Sequence, residues 1–152
     1  MALLKFENLG VSGMAACVPR NVINNYEYTQ HFPKDDVEKI VDKIGVYERR
    51  FVDEKTCSSD LCFAAAEKLF SDMNIDRSEI DALLFISQTP DYKMPATSVI
   101  LQDRLCLEKS TIAFDINLGC SAFMYGLTVA YSLLSQPAIN KVLILNGETR
   151  SK

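Results

Sequence analysis

The sequence predicts an α/β fold with a mostly parallel sheet between helices. Ala82–Ser87 (ALLFIS), Thr111–Ile116 (TIAFDI) and Lys141–Gly147 (KVLILNG) are short apolar runs of the kind that form strands buried on both faces. Stretches long enough for helices separate them, and glycine, proline or polar residues close each run. With 152 residues, 48% hydrophobic and 24% charged, the chain can bury one core.

The elements follow in order. Leu4–Val18 is apolar, with Gly10 and Gly13 interspersed, and reads as a first strand bulged at a glycine. Asn21–Asn25 reads as a loop, with Asn25 capping a short helix through Gln30. Past Pro33, a helix starts at Asp35 or Asp36, carries Val37, Ile40, Val41 and Ile44 on one face and stops at Gly45. The arginines of Gly45–Phe51 fit a solvated strand edge. Ser58 or Ser59 caps the next helix, which turns Leu61, Cys62, Ala65, Leu69 and Phe70 inward. Residues 75–81 are a connector with a short helix. After ALLFIS, a two-proline loop leads to a helix from Pro95, a good first helical residue, to Leu105. The Thr111–Ile116 strand meets a second helix, Ser121–Leu134, which Pro137 stops. Lys141–Gly147 is the last strand.

Composition narrows the function. A net charge of −4 without a dense Lys/Arg run argues against nucleic acid and anionic membranes as partners. No apolar run reaches the ~20 residues of a membrane helix, and no signal-peptide pattern opens the chain, so the expected location is cytoplasmic. The five cysteines are Cys17, Cys57, Cys62, Cys106 and Cys120, without a CxxC pair and with a single histidine, His31. That set argues against a disulfide framework and a zinc site, and neither metal nor cofactor is expected.

Cys120 is the residue with chemical promise. It follows Gly119 at a strand-to-helix corner, where unpaired helix N–H groups and the helix dipole favour a thiolate and make the sulfur nucleophilic. Gly119 would let a substrate approach the backbone closely. The local pattern equally allows a small buried hydrophobe, as free cysteines commonly are.

Phe114-Asp115, the spacing to Gly119-Cys120-Ser121, and Phe123-x-Tyr125-Gly126-Leu127 resemble the nucleophile segment of the β-ketoacyl-acyl-carrier-protein synthase III family. Ser121-Ala122-Phe123 stands where many members have small-Gly-Phe. The resemblance runs from about Leu4 to the end: Gly45-Val46-Tyr47-Glu48-Arg49-Arg50 is similar to the family's G-I-x-E-R-R/H. Pro95-Ala96-Thr97 through Gln102 is similar to its P-S/A-x-A/S-x-x-x-Q segment.

The resemblance implies a thiolase-like fold, with residues 1–152 as the N-terminal half of a condensing enzyme cut before its second half. Each half has a five-stranded sheet in order 3-2-1-4-5, of which four strands are visible. It implies that Cys120 takes an acyl group from a thioester and that the enzyme condenses it with malonyl-acyl-carrier protein, losing carbon dioxide, in fatty acid or related acyl biosynthesis. The Cys120 N–H would be one oxyanion donor, and a histidine and an asparagine would come from the second half, leaving this portion inactive alone. Lys39 and Lys43 stand where the family clamps the adenine of coenzyme A. A lysine can meet phosphate but cannot stack on adenine, so carrier-protein thioesters are the expected donors over acyl-coenzyme A. Met94 matches a position that lines the partner's acyl pocket, and a homodimer through Thr111–Ile116 is implied. Cys17, Cys62 and Cys106 are expected to be packed and inert, with Cys57 the competitor of Cys120. Two alternatives remain: a sister enzyme of hydroxymethylglutaryl-coenzyme A synthase or thiolase type, and a non-catalytic dimerisation or carrier-binding subunit.

Overall fold

The computed structural model describes residues 3–150. These form two compact units, one of residues 3–17 and 57–148, the other of residues 18–56 and 149–150. No helix among the described residues is long and apolar enough to cross a membrane.

The larger unit is built on a three-stranded parallel sheet of β3 (Ala82–Ile86), β4 (Ile112–Ile116) and β5 (Val142–Asn146), in the order β4-β3-β5. All five residues of β3 are fully buried, because strands flank both its edges and helices cover both its faces. Leu83 and Phe85 join one core cluster with Cys62, Ala66 and Phe70 of α2 (Ser58–Met73) and Leu101 of α3 (Thr97–Arg104). Ile86 faces α4 (Ala122–Leu134), where a β-carbon on Gly126 would stand 2.2 Å from Ile86 Cδ1. The glycine lets the helix close on the strand.

Charged groups tie these layers together. Arg77 donates to both carboxylate oxygens of Glu67, at 2.7 and 2.9 Å, and to the Leu105 carbonyl. That pairing holds the Glu67 carboxyl below its usual range. Arg104 joins α3 to the start of α2 through Asp60 and the Ser59 hydroxyl. At the foot of the sheet, Asp81 Oδ2 accepts the Asn140 and Lys141 N–H groups.

The smaller unit pairs β1 (Asn21–Asn24) antiparallel with β2 (Glu48–Phe51), linked through a 3-10 turn (Asn25–Glu27) and α1 (Lys34–Ile44). Buried Asn25 organises it: its amide donates to the Val46 carbonyl at 2.7 Å and its oxygen accepts Arg49 Nε–H at 2.5 Å. Gly45 closes α1 at φ 75°, a left-handed conformation that glycine adopts without a Cβ penalty. Tyr26 donates to Asp42, whose acceptance and negative charge push the phenol up to about 12.

Several expectations give way. Leu4–Val18 contains no strand. β4 and β5 take both edges of β3, so the expected order, with the first strand between the 82–87 and 141–147 runs, does not form. Residues 10–15 instead line an apolar groove of about 420 Å³ with side chains of α2, α4 and β5. Gly13 lies so near α2 that a β-carbon would meet Met73 Sδ at 1.9 Å. The segment's hydrophobicity serves side-chain contact without backbone pairing.

Asn21–Asn24 is a strand where a loop was expected, and Asn24, not Asn25, caps the 3-10 turn by accepting the Tyr26 N–H. Val37 and Val41 face inward from α1, whereas Ile40 is 51% exposed. Ser58 and Ser59 are buried first-turn residues; Cys57 is the N-cap, and Asp60 accepts its N–H at 2.9 Å. Pro95 precedes α3, whose N-cap is Ala96. β4 is an outer strand of intermediate exposure, not a fully buried one.

Candidate active site

The three strands of the larger unit are parallel and in register, with Ile86 opposite both Ile116 and Asn146. Their exits therefore lie side by side, at the carboxyl edge where open α/β sheets place their sites. Ser87 N–H donates to the Ile116 carbonyl at 3.3 Å, and Gly147 N–H to the Ile86 carbonyl at 3.1 Å.

The exit of β4 carries Cys120. Asn117-Leu118-Gly119-Cys120 leaves the strand, and a turn closes when Ala122 N–H donates to the Gly119 carbonyl at 2.8 Å. Ser121 is the N-cap of α4, and its carbonyl accepts the Met124 and Tyr125 N–H groups. Cys120 is exposed at this helix head, and Leu118, Phe123, Met124 and Tyr125 expose apolar surface nearby in sequence. An accessible thiol ahead of helix N–H groups and beside apolar surface can attack a carbonyl carbon and accommodate an acyl group.

Asp115 has a different task. Its two carboxylate oxygens accept the Thr97 and Ser98 N–H groups, each at 2.8 Å, and so cap α3 from the neighbouring strand. Gln102 holds the turn before β4 by donating to the Glu108 and Thr111 carbonyls. The aspartate and the glutamine of the two sequence motifs are thus structural.

The profile of the 3-oxoacyl-[acyl-carrier-protein] synthase III family matches residues 114–152, a span that opens in β4 and includes the Cys120 turn. A putative 3-oxoacyl-[acyl-carrier-protein] synthase 3 of Campylobacter jejuni is 36% identical over 151 residues, covering 97% of this chain and 42% of the relative. A β-ketoacyl-[acyl-carrier-protein] synthase III of Fusobacterium nucleatum is 33% identical over 146 residues, covering 96% of this chain and 44% of the relative. Over nearly its whole length the chain is similar to β-ketoacyl-[acyl-carrier-protein] synthase III proteins. It spans a little over two fifths of the length of these relatives.

Solved structures agree in fold. A 3-oxoacyl-(acyl-carrier-protein) synthase from Burkholderia xenovorans LB400 superposes with a TM-score of 0.81 at 40% identity, over 86% of this chain and 38% of that one. Xanthomonas campestris OleA gives 0.80 at 25% identity, over 97% of this chain and 47% of that one. The fold is thiolase-like.

Against the synthase III pattern, Cys120 occupies the expected strand-to-helix corner. Met94 lies in the loop between β3 and α3 and is 89% exposed. Lys39 and Lys43 belong to the smaller unit, exposed one helical turn apart on α1, with Lys39 Nζ 4.0 Å from Asp36. Among the other thiols, Cys62 is buried as expected, and its burial, helped by the charges of Asp91 and Glu148, pushes it up to about 12. Cys106 corrects the expectation of a packed residue: α3 stops at Arg104, and Cys106 sits past its end at φ 52°, exposed. Cys17, expected on a strand, lies in irregular chain and is partly exposed.

Two residues at this edge escaped the sequence reading. Gln88 leaves β3 with its side chain beside Gly119, and Glu148 leaves β5 and accepts the Gln88 N–H. Their available signal was position, since each is a polar residue within two positions of the end of a parallel strand.

Proposed function

We propose that the chain is the N-terminal portion of a 3-oxoacyl-[acyl-carrier-protein] synthase III-type acyltransferase, with Cys120 as its nucleophile. The observation that carries this is the exposed Cys120 thiol at the β4–α4 corner, within the span that the family profile matches. In the first step the Cys120 sulfur attacks the thioester carbonyl carbon. A new C–S bond forms, the donor's C–S bond breaks, and the released thiol takes the proton that Cys120 gave up. Malonyl-acyl-carrier protein then loses carbon dioxide, and its carbanion equivalent displaces the sulfur to give a 3-ketoacyl product. A second half would supply the remaining donors, so residues 1–152 alone would not turn over.

The reading extends to donor, association and location. Lys39 and Lys43, exposed one turn apart on α1, would suit a phosphate but not adenine stacking, which favours carrier-protein thioesters. Met94, highly exposed, would reach a partner's acyl pocket. β4 is an outer strand with Ile112 exposed, an edge that pairing with its mate in a homodimer would cover. Five cysteines outside any disulfide suit a reducing cytoplasm.

The test uses the longest reading frame that contains this chain. Incubation with an acyl-carrier thioester should add one acyl mass, and Cys120→Ala should abolish the addition. An acylated Cys120→Ala protein would overturn the assignment. Faster acylation from the matched coenzyme A ester would overturn the donor preference, and a monodisperse monomer in light scattering would overturn the dimer.

A further inference from the structure

The clearest feature outside the nucleophile itself is a link across the three strand exits. Glu148 Oε1 accepts the Gln88 backbone N–H at 2.6 Å, and Oε2 accepts the Thr89 hydroxyl at 2.9 Å. These bonds join the exit of β5 to that of β3, across 60 and 59 residues of sequence. The Gln88 side chain reaches the exit of β4, where a β-carbon on Gly119 would stand 2.5 Å from Gln88 Nε2. Only a residue without a side chain leaves the carboxamide that position, and Gly119 is bonded directly to Cys120.

Core stability does not explain the arrangement. Gln88 and Glu148 are both exposed, whereas residues 82–87 are fully buried and held by β4 and β5. A carboxylate that binds a backbone N–H and a hydroxyl makes short, directional bonds that fix geometry without burying apolar area.

We propose that Glu148 and Gln88 are positioning residues for the Cys120 turn. Glu148 fixes the backbone of the β3 exit, and the Gln88 carboxamide, resting on the bare Cα of Gly119, holds the turn in the conformation that presents Cys120 Sγ to the thioester. The inference rests on the reading of Cys120 as the nucleophile and adds the means by which its turn is held.

Single-turnover acylation of the full-length enzyme, followed by intact mass, tests the link. Gln88→Ala removes the carboxamide but keeps the N–H that Glu148 binds. Glu148→Gln weakens the clamp but keeps the carboxamide. Each should slow acylation at saturating donor about tenfold to hundredfold, the range for a misplaced reacting group, with the half-saturating donor concentration little changed. The double variant should be no slower than the slower single variant, because both act through one contact. Melting temperature should behave otherwise, with Glu148→Gln lowering it equally in either background and Gln88→Ala leaving it unchanged.

Wild-type acylation by Gln88→Ala overturns the proposal, and this variant decides alone should Glu148→Gln fail to fold. A double-variant rate equal to the product of the single effects also overturns it. Cys120→Ala, run alongside, separates the two readings. If it still acylates, the nucleophile assignment fails and takes this inference with it. If it is inert while Gln88→Ala is fully active, only the positioning role fails.

Discussion

The thiols make the most direct test, because burial alone should rank two of them. Burial raises Cys62 from an ordinary 9.0 to about 12, while Cys106 is exposed past the end of α3. At pH 8 the raised value cuts the thiolate fraction about a thousandfold. A more basic thiolate is intrinsically more nucleophilic, which recovers roughly 16- to 32-fold over three units. Cys62 should therefore alkylate at least about 30-fold more slowly than Cys106 in the native protein, before its 5% exposure is counted. Limiting iodoacetamide with peptide mapping reads the ratio. In strong denaturant the difference should collapse to about twofold, since both become ordinary thiols. Between pH 8 and 10 the native Cys62 rate should climb close to tenfold per unit. Prior incubation with an acyl thioester should protect Cys120 and leave Cys106 reactive. A native Cys62 rate within about fivefold of the Cys106 rate at pH 8 would refute the burial argument.

The same residue governs alkaline stability. Its folded value lies above its unfolded one, so the contribution is fully present below pH 9 and lost as pH rises toward about 12. The full span of three units is about 4 kcal/mol, and urea midpoints at pH 8 and 10.5 should fall less in Cys62→Ala than in the wild type. Gly126→Ala should destabilise by about 1–2 kcal/mol, overpacking at Ile86 Cδ1 outweighing the gain in helix propensity, and Ile86→Val should recover part of the loss in urea unfolding. Asp115→Ala should cost about 2–4 kcal/mol by the same measurement, and Asp115→Asn about half, because the amide keeps one of two acceptors. A loss under about 1 kcal/mol for the alanine variant would mean that α3 finds its cap elsewhere.

Legibility in the sequence tracked the range of the forces at work. Ala82–Ile86 is plain because burial on both faces leaves no polar position, and α1 ends legibly because Gly45 supplies its left-handed stop. The β1–β2 pair is not legible, since NVIN and ERRF show no apolar alternation and depend on contacts that Asn25 makes across more than twenty residues. Leu4–Val18 misled in the other direction, with apolarity that looked like a strand but lacks a backbone partner. β4 and β3 read alike as apolar runs, and only the strand order makes one outer and the other central. At the site, Cys120 was visible because Gly119 breaks the pattern beside it. Gln88 and Glu148 were not, because strand pairing unites residues 60 positions apart.

The carboxyl edge of the sheet gives two carboxylates separable jobs. Asp115 and Glu148 both accept backbone N–H groups beyond their own strand, yet Asp115 anchors the start of α3 and Glu148 anchors the β3 exit that meets Gly119. The first acts on a helix that contributes Leu101 to the core, so its loss should spread into global stability. The second acts on an exposed turn, so its loss should cost less stability and fall mainly on the chemistry of Cys120. Asp115→Asn should lower stability while leaving the acylation rate of the folded fraction nearly intact, and Glu148→Gln should lower that rate about tenfold or more. An aspartate five residues before an exposed cysteine invites a catalytic interpretation, but its oxygens already hold two N–H donors of α3. The residue that shapes the cysteine's turn comes from another strand.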